Sequence, residues 1–189
     1  MTVATRKLLV LDLDETLVHA TERPLEQQED FMVGPYFVYK RPHVDAFVQY
    51  ALKTFSVGVW TSSGEKYADG VINRIFPVNA LEFVWSSQRC TLARDWETGG
   101  YQTLKKLDKL KAKGYRLESI IAVDDTPQKH GKNFGNLVAV TEYVGQALDD
   151  ELLHLISYLE YLKTVPNIRT VEKRGWRKSV QSHGARDGA

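Results

Sequence analysis

"RKLLVLDLDETLVHA", residues 6–20, runs from strongly apolar residues straight into two carboxylates, Asp12 and Asp14, with Thr16 two positions later. A strand that is buried on both faces reads as a continuous apolar run, not as an alternation. Leu8 to Leu13 fits that description except at Asp12. Charge at the end of such a strand marks the place where the chain leaves the core and meets a ligand.

Three further runs have the same character: Phe55 to Trp60, Ser119 to Val123 and Leu137 to Thr141. Between and after them lie helical patterns. "HVDAFVQYALKTF" puts Val44, Phe47, Val48, Ala51, Leu52 and Phe55 on one stripe, and "GEKYADGVINRIF" does the same with Ala68, Val71, Ile72 and Ile75. "TLKKLDKLKAKGY" carries Leu104, Leu107 and Leu110 and then Gly114, which predicts a helix with a C-terminal glycine cap. "LDDELLHLISYLEYL" is the longest pattern, with Asp149 as its expected N-cap. Strands alternating with helices predict an α/β fold, a central and mainly parallel sheet flanked by helices with right-handed crossovers. Residues 20–40 and 85–101 break the alternation and predict small hairpin insertions, turning at Gly34-Pro35 and Gly99-Gly100. Neither leaves room for a large cap. The organisation expected is one domain over residues 1–168, a basic segment at 169–178 packed on it, and a disordered tail at 179–189.

The bulk composition excludes several classes. The chain is 43% hydrophobic and 26% charged with a formal net charge of +1, so no global field argues for nucleic acid or membrane. Its single cysteine, Cys90, rules out a disulfide framework and a cysteine-rich zinc site. No apolar stretch approaches the ~18 residues of a membrane span. These features predict a soluble intracellular protein, cytoplasmic or, in a eukaryote, nuclear; a monomer is expected.

The strand ends carry the chemistry. After the first come Asp12 and Asp14; after the second Thr61, Ser62 and Ser63; after the third Asp124 and Asp125 in "VDDTP". Side chains alternate along an extended chain, so Asp12 and Asp14 share a side. Two like charges at ~4 Å cost roughly 4 kcal/mol at an effective dielectric near 20, so four carboxylates in one cleft need a cation. All-oxygen ligands favour Mg²⁺. An EF-hand loop starting at Asp12 would need Gly and Glu where the chain has Leu17 and Arg23. Carboxylates, a hydroxyl at Thr61 and a lysine from the basic helix suit phosphoryl transfer, with a carboxylate as nucleophile.

"DLDETLVH" resembles the D-x-D-x-T signature of the haloacid dehalogenase (HAD) superfamily, and "KRPHVDAFV", "WTSS" and "VDDTP" follow in the order of its small phosphatases acting on the C-terminal domain of RNA polymerase II, the NLI-interacting-factor-like group. The resemblance runs from about Lys7 to Lys163. It implies a Rossmann-like HAD fold and a Mg²⁺-dependent phosphatase that works through an aspartyl-phosphate. Asp12 would be the nucleophile and Asp14 the general acid and base. Asp12, Asp125, Asp124 and the backbone carbonyl of Asp14 would serve the metal. Thr61, with Ser62 beside it, would hold phosphate oxygens, as would Lys105 or, failing that, Lys106. Thr16 would order the loop after the strand and, like Arg41, would serve phosphate or substrate binding. His43 reads either as helix entry or as catalytic support. The chain departs from the group in "WTSS" and in the short 85–101 insertion, which leaves the substrate open. A phosphoprotein, phosphorylated on Ser or Thr, is the first reading. A nucleic-acid 3′ end is the alternative, although related polynucleotide phosphatases usually carry Gly where this chain has Glu15. A non-catalytic binding module of the same fold is the third.

Overall fold

The computed structural model describes residues 6–94 and 99–179. In chain order the elements are β1 (Leu8–Leu11), β2 (Val18–Thr21), β3 (Phe31–Val33), β4 (Tyr36–Lys40), α1 (Val44–Thr54), β5 (Ser56–Trp60), α2 (Glu65–Ile75), β6 (Phe83–Trp85), β7 (Thr91–Arg94), β8 (Tyr101–Leu104), β9 (Ile120–Asp124), β10 (Leu137–Ala139) and α3 (Glu151–Leu162). Five strands form a sheet in the order β10-β9-β1-β5-β6, and each neighbouring pair is parallel. β1 therefore sits in the middle of the sheet, and Asp12 leaves from its carboxyl end.

The alternation of side chains along β1 sorts the core. Leu9 and Leu11 join the cluster under the three α-helices, with Phe47 and Ala51 of α1, Val71 of α2 and Leu155 and Leu159 of α3. Leu8 and Val10 face the opposite layer, with Trp60, Phe83, Trp85, Leu107 and Leu110. A strand covered on both faces has no polar position to spare, which accounts for its unbroken apolar run. β5 and β6 pack so closely that a Cβ at Gly58 would stand 2.4 Å from the Phe83 ring.

Two expectations need correction. The segment around Lys105 is not an α-helix. β8 ends at Leu104, and a 3-10 helix follows over Leu107–Lys113. Leu104, Leu107 and Leu110 are spaced by three with no i+4 partner, and three is the repeat of a 3-10 helix. Gly114 still terminates the segment, at φ 89. The second correction concerns α3, whose N-cap is Asp150; Asp149 instead accepts from the Glu151 amide at 3.1 Å and pairs with Arg41. In addition, β6 is a three-residue strand that its short run "FVW" did not announce.

The insertions are small. β2, β4 and β3 form an antiparallel sheet that turns at Gly34, φ 59. β7 and β8 form a two-stranded hairpin. At the C-terminal end, Trp176 stacks on Tyr158 at 5.3 Å and donates to the Ala139 carbonyl at 2.7 Å. Apart from Ser179, the tail expected at 179–189 lies outside the described residues. Among the described residues no helix is long and apolar enough to cross a membrane.

Candidate active site

The carboxyl ends of β1 and β5, with Lys129 from the segment after β9, bring side chains to one cavity of about 400 Å³, lined by Asp12, Asp14, Glu15, Ala20, Tyr36, Thr61, Ser62, Ser63, Gly64, Tyr67 and Lys129. Asp12 is 2% exposed. Its Oδ1 accepts from the Leu13 amide at 2.8 Å, and its Oδ2 lies 2.7 Å from the Lys105 ammonium. The same ammonium reaches Asp124 Oδ2 at 2.6 Å, and His130 Nε2 lies 2.9 Å from that oxygen. Burial pushes the Asp12 carboxyl up to about 7, with Lys105 pulling it down and Asp124 pushing it further up. Asp124 is pushed up by burial as well, but Lys105 and His130 outweigh that and hold it well below the usual carboxylate range.

Asp12, Asp124 and Asp125 form the candidate metal cluster. One carboxylate oxygen from each lies within 4.8 Å of the others. Asp125 is held by Thr16, whose hydroxyl donates to Oδ1 at 3.2 Å and accepts from the Asp125 amide at 3.1 Å. Hard oxygen donors at this spacing fit a divalent cation.

Asp14 has different company. Its carboxylate accepts hydroxyl hydrogen bonds from Tyr67 at 2.5 Å on Oδ1 and from Ser63 at 2.5 Å on Oδ2, with Thr61 at 3.4 Å. Burial and then the Asp14 charge push the Tyr67 hydroxyl upward, so it stays a donor. Thr61 Oγ1 also accepts from the Ser63 amide at 3.0 Å, which shapes the turn into α2. Gly64, at the start of α2, lines the cavity, and a helix N-terminus favours an anion. The Ser62 hydroxyl is buried without a partner among the described residues.

The other residues named from the sequence fall out as follows. Lys105 is buried beside Asp12, whereas Lys106 is exposed. Arg41 is not among the residues that line the cavity. It is buried, pairs with Asp149 at 2.8 Å and donates to the Thr16 and Thr141 carbonyls at 3.1 and 2.9 Å, which occupies its guanidinium in joining β4 to the loop before α3. His43 is the N-cap of α1 at φ 67 and makes no side-chain capping bond. Sequence reasoning assigned no site role to Lys129, His130 or Tyr67, named Ser63 only as a strand-end hydroxyl, and named Glu15 only for its bearing on the substrate. Ser63 lies in the turn before α2 and Tyr67 in the first turn of that helix, both close in sequence to the strand end at Thr61. Lys129 carries no comparable signal. Glu15 takes φ 57, a conformation that favours glycine, and its Oε1 lies 3.1 Å from His19 Nδ1.

Comparisons with known proteins agree with this geometry. A model of the NLI interacting factor-like phosphatase family matches residues 7–169. The chain is 34% identical over 168 residues to CTD small phosphatase-like protein 2 of Dictyostelium discoideum, covering 85% of this chain and 28% of that protein. It is 32% identical over 179 residues to the human CTD small phosphatase-like protein, covering 89% of this chain and 60% of that one. It thus spans less than two thirds of either relative. Among solved structures, an RNA polymerase II CTD phosphatase Fcp1 from fission yeast, bound to beryllium fluoride, superposes with a TM-score of 0.57 over 95% of this chain and 63% of that one, at 20% identity. That likeness speaks for the fold. The family match, the relatives and the arrangement of Asp12, Asp14, Thr61 and Lys105 converge: this chain belongs to the NLI interacting factor-like phosphatase family.

Proposed function

We propose that this chain hydrolyses a phosphomonoester, with Asp12 as nucleophile and Asp14 as general acid and base. The observation that carries the reading is that both carboxylates line one cavity in contrasting environments: Asp12 is buried against Lys105, and Asp14 is held by hydroxyls. Two carboxyls in different surroundings are suited to different tasks.

An Asp12 oxygen attacks phosphorus as the ester P–O bond breaks, and Asp14 gives its proton to the departing oxygen. In the second half, Asp14 takes a proton from a water that attacks the aspartyl-phosphate, releasing inorganic phosphate and restoring Asp12. Lys105 favours the ionised nucleophile, while Thr61 and Ser62 offer hydroxyls to the phosphoryl oxygens. Asp12, Asp124 and Asp125 would hold the metal, with the Asp14 carbonyl as a further oxygen ligand; Mg²⁺, bound there, would offset the gathered negative charge.

The substrate class we favour is a phosphoprotein carrying phospho-Ser or phospho-Thr. The three-stranded sheet supplies only Ala20 and Tyr36 to the cavity wall, so a chain-like substrate has room to reach Asp12. Both relatives carry names of the form CTD small phosphatase-like, which supports this reading. Hydrolysis of an aryl phosphate with Mg²⁺, its loss in EDTA and its loss in Asp12→Asn test the chemistry. Full activity in Asp12→Asn would refute it, and an inactive parent would leave a binding module. Phosphopeptides against 3′-phosphorylated oligonucleotides then test the substrate.

A further inference from the structure

Lys105 is already engaged by two carboxylates. Its side chain is 1% exposed, its ammonium is shared between Asp12 and Asp124, and it does not line the cavity. The cation that does is Lys129. Among the described residues that line it, this is the one positive side chain, facing the carboxylates of Asp12, Asp14 and Glu15.

Lys129 is not a loose surface lysine. Its carbonyl accepts from the Lys105 amide at 2.7 Å and its amide donates to the Thr126 carbonyl at 3.1 Å, so its backbone is tied to both the Lys105 segment and the "VDDTP" turn. Its side chain is 25% exposed, and its ammonium lies 3.4 Å from Asp12 Oδ2, the outer limit of a hydrogen bond. A lysine ammonium has three donors, and a single long contact leaves it free to take a better acceptor.

We propose that Lys129 is the cavity-side phosphate-binding residue: it meets the non-bridging oxygens of a phosphomonoester, or of the inorganic phosphate product, while Lys105 neutralises Asp12 and Asp124 from beneath. This rests on the phosphatase reading for its place in turnover, but the oxyanion site itself does not need turnover. The same geometry has a second consequence of opposite sign. Lys129 repels a divalent cation at the three-carboxylate cluster, so its removal weakens oxyanion binding and strengthens metal binding.

The test measures tungstate, a phosphate-like oxyanion, binding by calorimetry to the Mg²⁺-loaded protein and to Lys129→Met and Lys129→Arg. A charge-assisted hydrogen bond of about 1.5–3 kcal/mol corresponds to about 10- to 100-fold in affinity. The Met variant should lose that much tungstate affinity, the Arg variant should recover most of it, and Mg²⁺ should bind the Met variant more tightly. Thermal melts show whether the variants are folded. Tungstate binding to a folded Met variant as tight as to the parent overturns the proposal. Calorimetry keeps the two readings separable: a parent that binds tungstate through Lys129 yet turns over no phosphomonoester refutes the phosphatase reading and leaves this site standing.

Discussion

The Lys105 ammonium lies 2.7 Å from Asp12 Oδ2 with both side chains almost sealed from water, and the same ammonium reaches Asp124. A lysine shared by two buried carboxylates is structural and electrostatic at once. Truncating one partner of a buried ion pair leaves uncompensated charge and costs about 3–5 kcal/mol. Lys105→Met should therefore lower the unfolding free energy by about that amount in EDTA, read from urea denaturation, with less loss once Mg²⁺ is present. A loss below about 1 kcal/mol in EDTA would show that the pair contributes little.

Arg41 gives the contrasting case. Its guanidinium joins Asp149 and two backbone carbonyls, away from the cavity. Arg41→Met should destabilise the protein by about 3–5 kcal/mol while the surviving folded fraction binds tungstate as the parent does. A selective loss of oxyanion binding would restore Arg41 to the phosphate site.

Tyr67 and Ser63 position Asp14. A carboxyl that protonates the leaving oxygen matters most when that oxygen is a strong base. Tyr67→Phe should therefore slow hydrolysis of an alkyl phosphate, or of a phosphoserine peptide, more than that of 4-nitrophenyl phosphate, whose leaving group needs no proton. Asp14→Asn should show the same pattern more strongly. Equal losses on both substrates would mean that Tyr67 only supports the fold.

Metal binding should register as stability. A ligand at a hundredfold over its dissociation constant contributes about 2.7 kcal/mol to the native state. Mg²⁺ should raise the melting temperature of the parent, and Asp125→Asn should abolish most of that rise because Asp125 supplies one of the clustered oxygens. An unchanged rise would place the metal elsewhere.

Glu15 predicts a pH dependence. Burial first, then the charge of Asp14, pushes its carboxyl from 4.5 to about 7. The folded state then binds more protons than the unfolded state between those values, so this contribution is complete below about pH 4.5 and is lost as pH rises towards 7. Asp12, also pushed up to about 7, acts in the same direction. In EDTA the parent should lose stability across that window, and Glu15→Gln should flatten the fall. Identical slopes would remove Glu15 from the account.

The local pattern reached far into this protein. The apolar run before Asp12 announced a doubly covered central strand because burial on both faces leaves no polar position, and Leu8 to Leu11 lie in the middle of the sheet. α1 and α2 were legible because each buries one stripe of an amphipathic helix. Where two structures share a periodicity, the pattern could not choose between them: leucines three apart suit a 3-10 helix as well as an α-helix, and that is how Lys105 came to be placed on the wrong element.

By itself, then, the sequence determined the parallel sheet and the strand ends that carry Asp12, Thr61 and Asp124, because these follow from burial of each strand on both faces. Only the tertiary structure decided which cations meet them. Lys105 and Lys129 come from segments joined by one backbone hydrogen bond, and Arg41, equally basic in the sequence, is consumed by Asp149. The physical reason is range: helix and strand patterns are local, whereas a charge takes its role from whichever partner the folded chain brings within about 3 Å of it.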